Sequence, residues 1–149
     1  MDLLLLGLNH RTAPLSLRER VAFTADQLAE ALPALKIRGD FREVAILSTC
    51  NRTEVIIVTD EPNPGLVMNW LAEYHNISAS KLEDRIYTLE GPKAVEHTMR
   101  VACGLDSMVI GEPQIFGQFK DCFTIARIHN TVGPQLHNLS QTTNKVAKH

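Results

Sequence analysis

The sequence predicts an α+β fold, in which a ferredoxin-like βαββαβ sheet domain over residues 1–90 is followed by a helical extension over residues 91–149. Up to residue 90, short β-rich apolar runs and helical patterns follow in the order strand, helix, strand, strand, helix, strand. From Gly91 onward every pattern is helical. At 149 residues the chain is long enough for one ordinary domain with a core of its own.

Composition and charge exclude several classes of protein. The net charge is −2 with acidic and basic residues interspersed, which argues against an autonomous nucleic-acid binder. Three cysteines without regular spacing argue against a disulfide framework and favour a reducing compartment. The opening Met1 to Leu6 is too short and too acidic for a signal peptide, and no run approaches a membrane span. We therefore expect a cytoplasmic protein that does not engage a membrane.

The first strand is predicted over the apolar run Leu3 to Leu8, and a polar loop, Asn9 to Pro14, follows it. Two capping-box patterns, Ser16 to Glu19 and Thr24 to Gln27, predict the starts of two helices. The second helix has one apolar face at helical spacing, formed by Leu28, Ala31, Leu32 and Leu35. Pro33 should bend or shorten this helix, and Gly39 should end it.

A buried β-hairpin is predicted where the runs Val44 to Leu47 and Val55 to Val58 flank a short polar link. The link holds Cys50 between Thr49 and the pair Asn51 and Arg52. A thiol at a rigid hairpin tip stays open to a ligand, and a nearby cation favours the reactive thiolate. Cys50 is therefore a candidate nucleophile. Most free cysteines are small buried hydrophobes instead, and spacing alone leaves both readings open.

The rest of the sheet domain contains a helix and a fourth strand. Pro64 suits the first position of a helix capped by Asn63. The predicted buried face of this helix is Leu66, Val67, Trp70, Leu71 and Tyr74. A short helical turn over Ser78 to Glu83 should precede a strand over Arg85 to Leu89.

This order of elements has a geometric consequence for the first loop. If the first helix returns antiparallel to the first strand, the first two strands point the same way and end at one sheet edge. His10 and Arg11 would then be neighbours of the Cys50 thiol. The alternative is an ordinary solvated loop.

The extension contains three predicted helices. The first starts near Pro92, and its expected core face is Ala94, Val95, Thr98, Ala102 and Leu105. His97 lies off that face, where a histidine is more often a surface residue than a catalytic one. The second helix starts near Pro113; its Gln114 and Gln118 lie one turn apart on a polar stripe and could simply be solvated. The third, polar helix follows Gly133-Pro134.

Several common motifs are missing from the sequence. No Gly-x-Gly-x-x-Gly follows a strand, and Gly111 to Gly117 lacks the Lys-Ser/Thr ending of a phosphate loop. There is no Cys-x-x-Cys pair. No metal site is expected, because metal-ligand spacing is absent from the histidines His75, His97, His129 and His137.

Longer residue strings carry a resemblance to a known family. Gly7 to Pro14, Leu17 to Arg20 and Ser48 to Glu54, with a later block from His97 to Gln118, resemble the catalytic N-terminal domain of glutamyl-tRNA reductase. The similarity covers essentially the whole chain. Enzymes of this family are much longer, because they append an NADPH-binding domain and a helical dimerisation domain. The resemblance implies that residues 1–149 are the catalytic, substrate-binding domain and that NADPH binds to a domain absent from this chain.

The resemblance also implies roles for individual residues. The matching cysteine, Cys50, attacks the ester carbonyl that joins glutamate to its tRNA. A thioester forms, and hydride from NADPH reduces it to glutamate-1-semialdehyde for tetrapyrrole (porphyrin) biosynthesis. His97 matches a histidine important for activity, as a base or as an orienting group. The matching substrate-binding positions are Thr49, Asn51, Arg52, Ser107, Glu112, Pro113, Gln114 and Gln118.

Further expectations follow from the same resemblance. Arg52 is the expected bidentate contact for a substrate carboxylate. Cys103 replaces a residue that is usually small, such as serine, and we expect it to pack rather than react. The implied partners are glutamyl-tRNA, a second copy in a full-length homodimer, and the downstream aminomutase. Without its hydride donor the segment itself should lack reductase activity.

The alternative to an enzyme is a non-enzymatic regulatory module. A ferredoxin-like domain could bind an amino acid or RNA reversibly and control another protein. Binding by such a module would be indifferent to alkylation of Cys50, whereas an acyl-accepting enzyme would lose its activity.

Overall fold

A computed structural model of the chain describes residues 2–106 and 114–147. Its strands and helices are β1 (Asp2–Asn9), α1 (Leu15–Arg20), α2 (Ala25–Gly39), β2 (Glu43–Thr49), β3 (Arg52–Thr59), α3 (Pro64–Tyr74), α4 (Ser80–Glu83), β4 (Tyr87–Glu90), α5 (Pro92–Ala102), α6 (Gln114–Ile128) and α7 (Pro134–Ala147). The predicted sequence of sheet elements followed by helices is therefore confirmed.

The four strands form one sheet in the order β2-β3-β1-β4, and each neighbouring pair is antiparallel. With helices after the first and third strands, this is the ferredoxin-like arrangement. Because β1 and β2 are each antiparallel to β3, they point in the same direction. Asn9 and Thr49 end at the same sheet edge, and Arg52, at the start of β3, pairs with both.

Helices cover both faces of the sheet. Side chains alternate along β3, so Thr53 and Glu54 point to opposite faces. The Thr53 hydroxyl donates to the Val21 carbonyl oxygen (3.3 Å), on the face covered by α2 and α3. Glu54 contacts His97 of α5, on the face covered by α5 and α6. Every residue of β3 is buried as a result, which confirms the predicted buried hairpin.

One of the two predicted capping boxes is confirmed. The Thr24 hydroxyl accepts from the Gln27 backbone N–H (3.2 Å), and the Gln27 side chain accepts from the Thr24 N–H (2.8 Å). The box at Ser16 is wrong, because α1 begins at Leu15 with Pro14 as its N-cap and no side-chain cap. The extended conformation of Pro14, with φ −67°, already sets the direction of the chain into this short helix.

Helix α2 continues through Pro33, so the expected shortening is wrong. Proline inside a helix costs roughly 3 kcal/mol, because it removes one hydrogen bond and crowds the preceding turn. The four residues of the predicted apolar face are all buried, and each large aliphatic side chain contributes about 1.5–3 kcal/mol. That burial outweighs the local cost.

The predicted end of α2 at Gly39 is confirmed, but the reason for the glycine lies in packing. Gly39 is the last helical residue, but Asp40 takes the left-handed conformation, with φ 52°. A Cβ on Gly39 would lie 2.2 Å from the Phe41 ring. Glycine is required here by the close approach of Phe41, not by the direction of the backbone.

An aromatic cluster joins α3 to the chain before α2. The Phe23 ring stacks on Trp70, with centroids 6.1 Å apart, and meets the His75 ring edge-on at 4.5 Å. The buried His75 Nε2 has no hydrogen-bond partner within the described ranges. Burial, with the charge of Arg20, lowers the pKa of His75 to about 4.

The predicted start of α3 is confirmed, since Asn63 caps it and Pro64 opens it.

Two boundaries near the end of the sheet domain differ from prediction. Strand β4 begins at Tyr87 instead of Arg85, because the Arg85 and Ile86 N–H groups still donate to the Leu82 carbonyl (2.9 and 3.0 Å). Leu105, expected in the core, is 51% exposed. Helix α5 stops at Ala102, and Gly104, at φ 77°, turns the chain away first.

A buried carboxylate attaches the last helix to the edge of the sheet. Glu43, at the start of β2, is 4% exposed and accepts N–H groups of Gly133 (2.7 Å), Gln135 (3.2 Å) and Leu136 (2.8 Å) at the start of α7. Negative charge is favourable there because those N–H groups lack helical partners. Next to it, the Val44 N–H donates to the Thr131 carbonyl (2.8 Å).

Within the described part of the chain, no helix has both the length and the apolar character needed to cross a membrane.

Candidate active site

Cys50 lies on a two-residue turn between two buried strands. Thr49 pairs with Arg52 across the hairpin, so Cys50 and Asn51 alone form the turn. The Thr49 hydroxyl accepts from the Asn51 N–H (3.1 Å) and stiffens it. The Cys50 side chain is exposed. The turn therefore presents an accessible thiol from a fixed position.

The cation bonded to this turn is Arg18, a residue that the sequence did not single out. Its Nε donates to the Cys50 carbonyl (3.2 Å), and its Nη1 donates to the Ala13 carbonyl (2.8 Å). Arg18 thereby ties the loop after β1 to the Cys50 turn.

Arg52 is buried instead of lining open space. It is 1% exposed, and its Nη2 donates to the Asp106 carbonyl (2.7 Å) and carboxylate (2.9 Å). Its Nη1 donates to Glu54 (3.3 Å). Burial opposes the charge of Arg52, but the two carboxylates outweigh it and raise its pKa. The guanidinium is held charged between two internal anions.

Asp106 joins Arg52 to the loop after β1. Its carboxylate accepts from Arg11 Nη1 (2.7 Å), and the Asn9 amide lies 3.5 Å away. Burial alone would raise the pKa of Asp106, but Arg52 and Arg11 lower it overall. The loop after β1 thus lies at the predicted edge. Burial and the nearby Arg52 charge lower the pKa of His10 on the same loop.

Glu54 connects this cluster to His97. Its Oε2 lies 2.5 Å from His97 Nε2 and also accepts the Tyr87 hydroxyl. Burial and the Glu54 charge raise the pKa of Tyr87, so its phenol stays protonated and donates. Because Nε2 is occupied, His97 Nδ1 is the ring nitrogen left for a substrate. The side chain of His97 is 16% exposed, whereas that of Glu54 is 1% exposed.

Gly7 makes room for Glu54. A Cβ on Gly7 would lie 2.7 Å from the Thr53 carbonyl oxygen and 2.8 Å from Glu54 Cγ. The absence of a side chain on β1 lets the buried carboxylate fold across it toward His97.

The structure brings together some of the predicted site residues. Thr49, Cys50 and Asn51 are adjacent on the turn, and Arg52 and His97 share the Glu54 carboxylate. The remaining positions lie on or before α6. Gln118 lines a cavity of about 200 Å³ beside Ser48 and Leu47 of β2, and Gln114 is exposed on the first turn of the helix. Ser107, Glu112 and Pro113 lie outside the described residues.

Sequence reasoning missed Glu54, Asp106 and Tyr87. Arg52 and Glu54 were predicted to lie in the polar link before Val55, whereas β3 already begins at Arg52. Two residues apart in a strand, they share a face, and a charged pair on a buried face is a signal of a polar cluster. Asp106 lies 54 residues from Arg52 in the sequence, and Tyr87 lies 33 residues from Glu54, so no local pattern indicates either contact.

The other two cysteines differ from Cys50. Cys122 is buried in α6, where burial and the Glu54 charge raise its pKa, so it stays a thiol. Cys103 is partly buried at the end of α5. Cys50 is the exposed one of the three.

Comparison with known proteins gives a consistent result. The family model described as "Glutamyl-tRNAGlu reductase, N-terminal domain" matches residues 6–149. Glutamyl-tRNA reductases of Pseudomonas fluorescens and Marinobacter nauticus are 53% and 49% identical over 99% of this chain, which covers 35% and 34% of their own lengths. The structure of glutamyl-tRNA reductase from Methanopyrus kandleri superposes with a TM-score of 0.79 at 25% identity, over 98% of this chain and 33% of its own.

The chain thus spans about a third of the length of these relatives. The family match covers nearly all of it, and the fold agrees. The chain belongs to the glutamyl-tRNA reductase N-terminal domain family.

Proposed function

We propose that this chain is the acyl-accepting part of an enzyme that reduces glutamyl-tRNA to glutamate-1-semialdehyde in tetrapyrrole biosynthesis, with Cys50 as the nucleophile. The observation that carries the proposal is the exposed Cys50 thiol on a rigid turn, two residues before the buried Arg52, which bridges the carboxylates of Glu54 and Asp106. A packing cysteine has no need of either feature.

The proposed step is acyl transfer. The Cys50 thiolate adds to the ester carbonyl carbon and forms a carbon–sulfur bond. The carbon–oxygen bond to the tRNA ribose then breaks, and the ribose oxygen leaves with the bonding electrons and takes up a proton. The glutamyl group is left on Cys50 as a thioester, which splits one difficult reaction into two easier ones.

His97 is proposed to hold or move a proton in this step through Nδ1. Glu54 accepts from Nε2 and fixes the imidazole, as a carboxylate partner commonly does. Arg52 is proposed to recognise a substrate carboxylate, but its donors already engage Asp106 and Glu54. A substrate carboxylate must therefore share the guanidinium with Asp106 or displace it.

Reduction of the thioester requires a hydride donor, proposed to be NADPH. The described residues do not fit a dinucleotide. The segments that lead from β1 and β3 into the following helices hold no glycine, and Gly7 lies inside a strand against Glu54. These residues accept an acyl group and deliver no hydride, so NADPH is proposed to bind to another part of the full-length protein.

Mass spectrometry after acid quenching tests the proposal. The protein is incubated with glutamyl-tRNA, and a mass increase of one glutamyl group, removed by hydroxylamine, is expected on the wild type. Cys50→Ala should lose the adduct completely. Cys103→Ala is the matched control and should keep it.

An adduct that survives in Cys50→Ala contradicts the assignment of the nucleophile. Iodoacetamide labelling near neutral pH separates the proposal from a regulatory module. Selective labelling of Cys50 that blocks acyl transfer supports the enzyme, whereas tRNA or glutamate binding without any adduct supports the module.

The wider assignments are proposals of the same kind. They are a homodimer of the full-length protein, transfer of the aldehyde product to the downstream aminomutase, and a cytoplasmic location. Size-exclusion chromatography of the full-length protein, alone and with the aminomutase, tests the first two.

A further inference from the structure

A basic groove lies beside the loop that follows β1. It has a volume of about 430 Å³ and runs between α1 and α4. Its polar side chains are those of Ser16, Arg20, Ser80, Lys81, Asp84 and Arg85. We call this surface the basic groove.

The cations of the basic groove form no ion pairs among the residues that the structure describes. Arg20, Lys81 and Arg85 are exposed, and none forms an ion pair with a residue in 2–106 or 114–147. Among the described residues, Asp84 is the one carboxylate that lines the groove. In a chain with net charge −2, three cations around one cavity are a local concentration of positive charge. Such a surface attracts an anionic ligand.

The groove is joined to the Cys50 turn through the loop after β1. Pro14 lines the groove, and the preceding Ala13 carbonyl accepts from Arg18, which also donates to Cys50. On the opposite side, Arg85 donates to the Thr12 carbonyl (3.4 Å). One short loop thus contacts both the thiol turn, by way of Arg18, and a cationic wall of the groove.

We propose that the basic groove binds the phosphodiester backbone of the RNA whose acyl group reaches Cys50, an inference that rests on the proposed function. Its cations come from α1, from α4 and from the turn after α4, and two exposed serine hydroxyls line the same groove. That spread suits an extended chain of phosphates more than one small anion, which a single arginine fork can hold. The groove would hold the RNA end while its ester reaches the thiol.

The overall charge agrees with this proposal. A chain with net charge −2 should not bind nucleic acid tightly by itself. A few phosphate contacts in one groove give weak, strongly salt-dependent binding that orients the substrate. The rest of a tRNA would be held by other parts of the full-length protein.

The test compares two triple variants of the chain. The groove variant is Arg20→Ala, Lys81→Ala and Arg85→Ala. The control is Lys120→Ala, Arg127→Ala and Lys145→Ala, which removes three exposed cations from α6 and α7. Binding of unacylated tRNA-Glu is measured by fluorescence anisotropy over a range of salt concentrations, and thermal unfolding by circular dichroism checks that both variants fold.

The groove variant should bind the tRNA at least about tenfold more weakly at low salt. The slope of log K against log salt should fall by up to about 2, because each lost phosphate contact removes roughly 0.7. The control should lose less than half as much. Equal losses in the two variants, or no loss in the groove variant, would overturn the proposal. The proposal would also be overturned if the groove variant lost binding to anionic lipid vesicles but still bound tRNA as the wild type does.

A second measurement separates this proposal from the acyl-transfer proposal. Labelling of Cys50 is compared between glutamyl-tRNA and the α-benzyl ester of glutamate. The rate of labelling by glutamyl-tRNA, divided by the rate with the benzyl ester, should be about tenfold lower in the groove variant than in the wild type. An unchanged ratio contradicts the RNA site. If wild type is labelled by neither ester, the nucleophile fails, and the tRNA-binding measurement still decides the groove.

Discussion

The two faces of the sheet are built on different principles. On the face covered by α2 and α3, alternate residues of β1 and β3 are mostly aliphatic, such as Leu6 and Val55, which pair in register. On the face covered by α5 and α6, the strand ends place Asn9, Arg52 and Glu54 in the interior. One face is held by non-directional burial, and the other adds a network of charges and hydrogen bonds.

The surroundings of a histidine also differ between the two faces. His75 lies among aromatic rings, its buried Nε2 has no hydrogen-bond partner in the described part of the chain, and burial lowers its pKa. His97 has a carboxylate within 2.5 Å. A buried polar network is favourable only when its members are satisfied. The side-chain arrangement on the polar face is therefore fixed by specific pairs, because each charge there has a partner of opposite sign.

The largest expected effect comes from removing Arg52. Arg52→Ala leaves Glu54 and Asp106 without their shared cation in the interior, which should lower the free energy of unfolding by about 3–5 kcal/mol. Urea denaturation measures this. Arg42→Ala, which breaks the exposed pair with Asp60, is the matched control and should cost less than about 1 kcal/mol. Similar losses in the two variants would show that the buried pairs of Arg52 stabilise the polar face no more than an exposed pair does.

Replacing Glu54 tests the link to His97. Glu54→Gln keeps the shape but removes the charge that fixes the imidazole, so the rate of Cys50 acylation should fall about 100-fold. The pH profile of acylation should change shape as well, which a merely structural defect would not cause. Glu73→Gln, at an exposed pair with Arg38, is the control. A variant that is less stable but acylated at the normal rate would show that Glu54 is structural only.

Gly7→Ala introduces a Cβ into the space that Glu54 occupies. We expect a loss of about 1–3 kcal/mol in the free energy of unfolding, because backbone and a buried carboxylate block relaxation. Gly117→Ala on α6, where a Cβ would meet no atom of the described residues within 4 Å, should instead be neutral or stabilising by roughly 0.5–1 kcal/mol. Chemical denaturation of both variants checks the pair. If Gly7→Ala is tolerated as well as Gly117→Ala, the packing of Glu54 against β1 is looser than its geometry indicates.

The smallest effect concerns His75 and appears only in mild acid. The folded pKa is about 4, below the ordinary 6.5, so the unfolded chain binds a proton that the folded chain does not as pH falls from 6.5 to 4. The free energy of unfolding should therefore drop by on the order of 1–2 kcal/mol between pH 7.5 and pH 5. His75→Phe should remove that part of the drop, whereas His137→Phe, at an exposed position on α7, should not. Equal acid sensitivity in wild type and His75→Phe would contradict the assignment.

Much of the fold could be predicted because its signals are local. The hairpin around Cys50, the Thr24 cap and the Asn63-Pro64 start of α3 each depend on a few adjacent residues. The errors arose where a distant contact decides the outcome. Burial of the apolar face of α2 carries the helix past Pro33. The predicted end at Gly39 is correct, but only the fold shows that the Phe41 ring requires a glycine there.

The site could be predicted only in part for the same reason. The polar residues that flank Cys50 are visible in the sequence as seven consecutive residues, 48 to 54. The neighbours of Arg52 are not, since Asp106 arrives from beyond α5 and pairs with Arg11 at the other end of the sequence. Only the tertiary fold shows that Arg52 is engaged internally. The roles assigned to the individual binding residues remain predictions.

The contacts of Glu43 and Val44 have a consequence for how the domain meets other molecules. An outer strand normally displays unpaired backbone groups that can recruit a strand from another chain. Here the start of α7 and the Thr131 carbonyl occupy that side of β2, and the opposite outer strand, β4, is only four residues long. Strand pairing with another chain is therefore blocked at the rim beside α7, and association there must proceed through side chains.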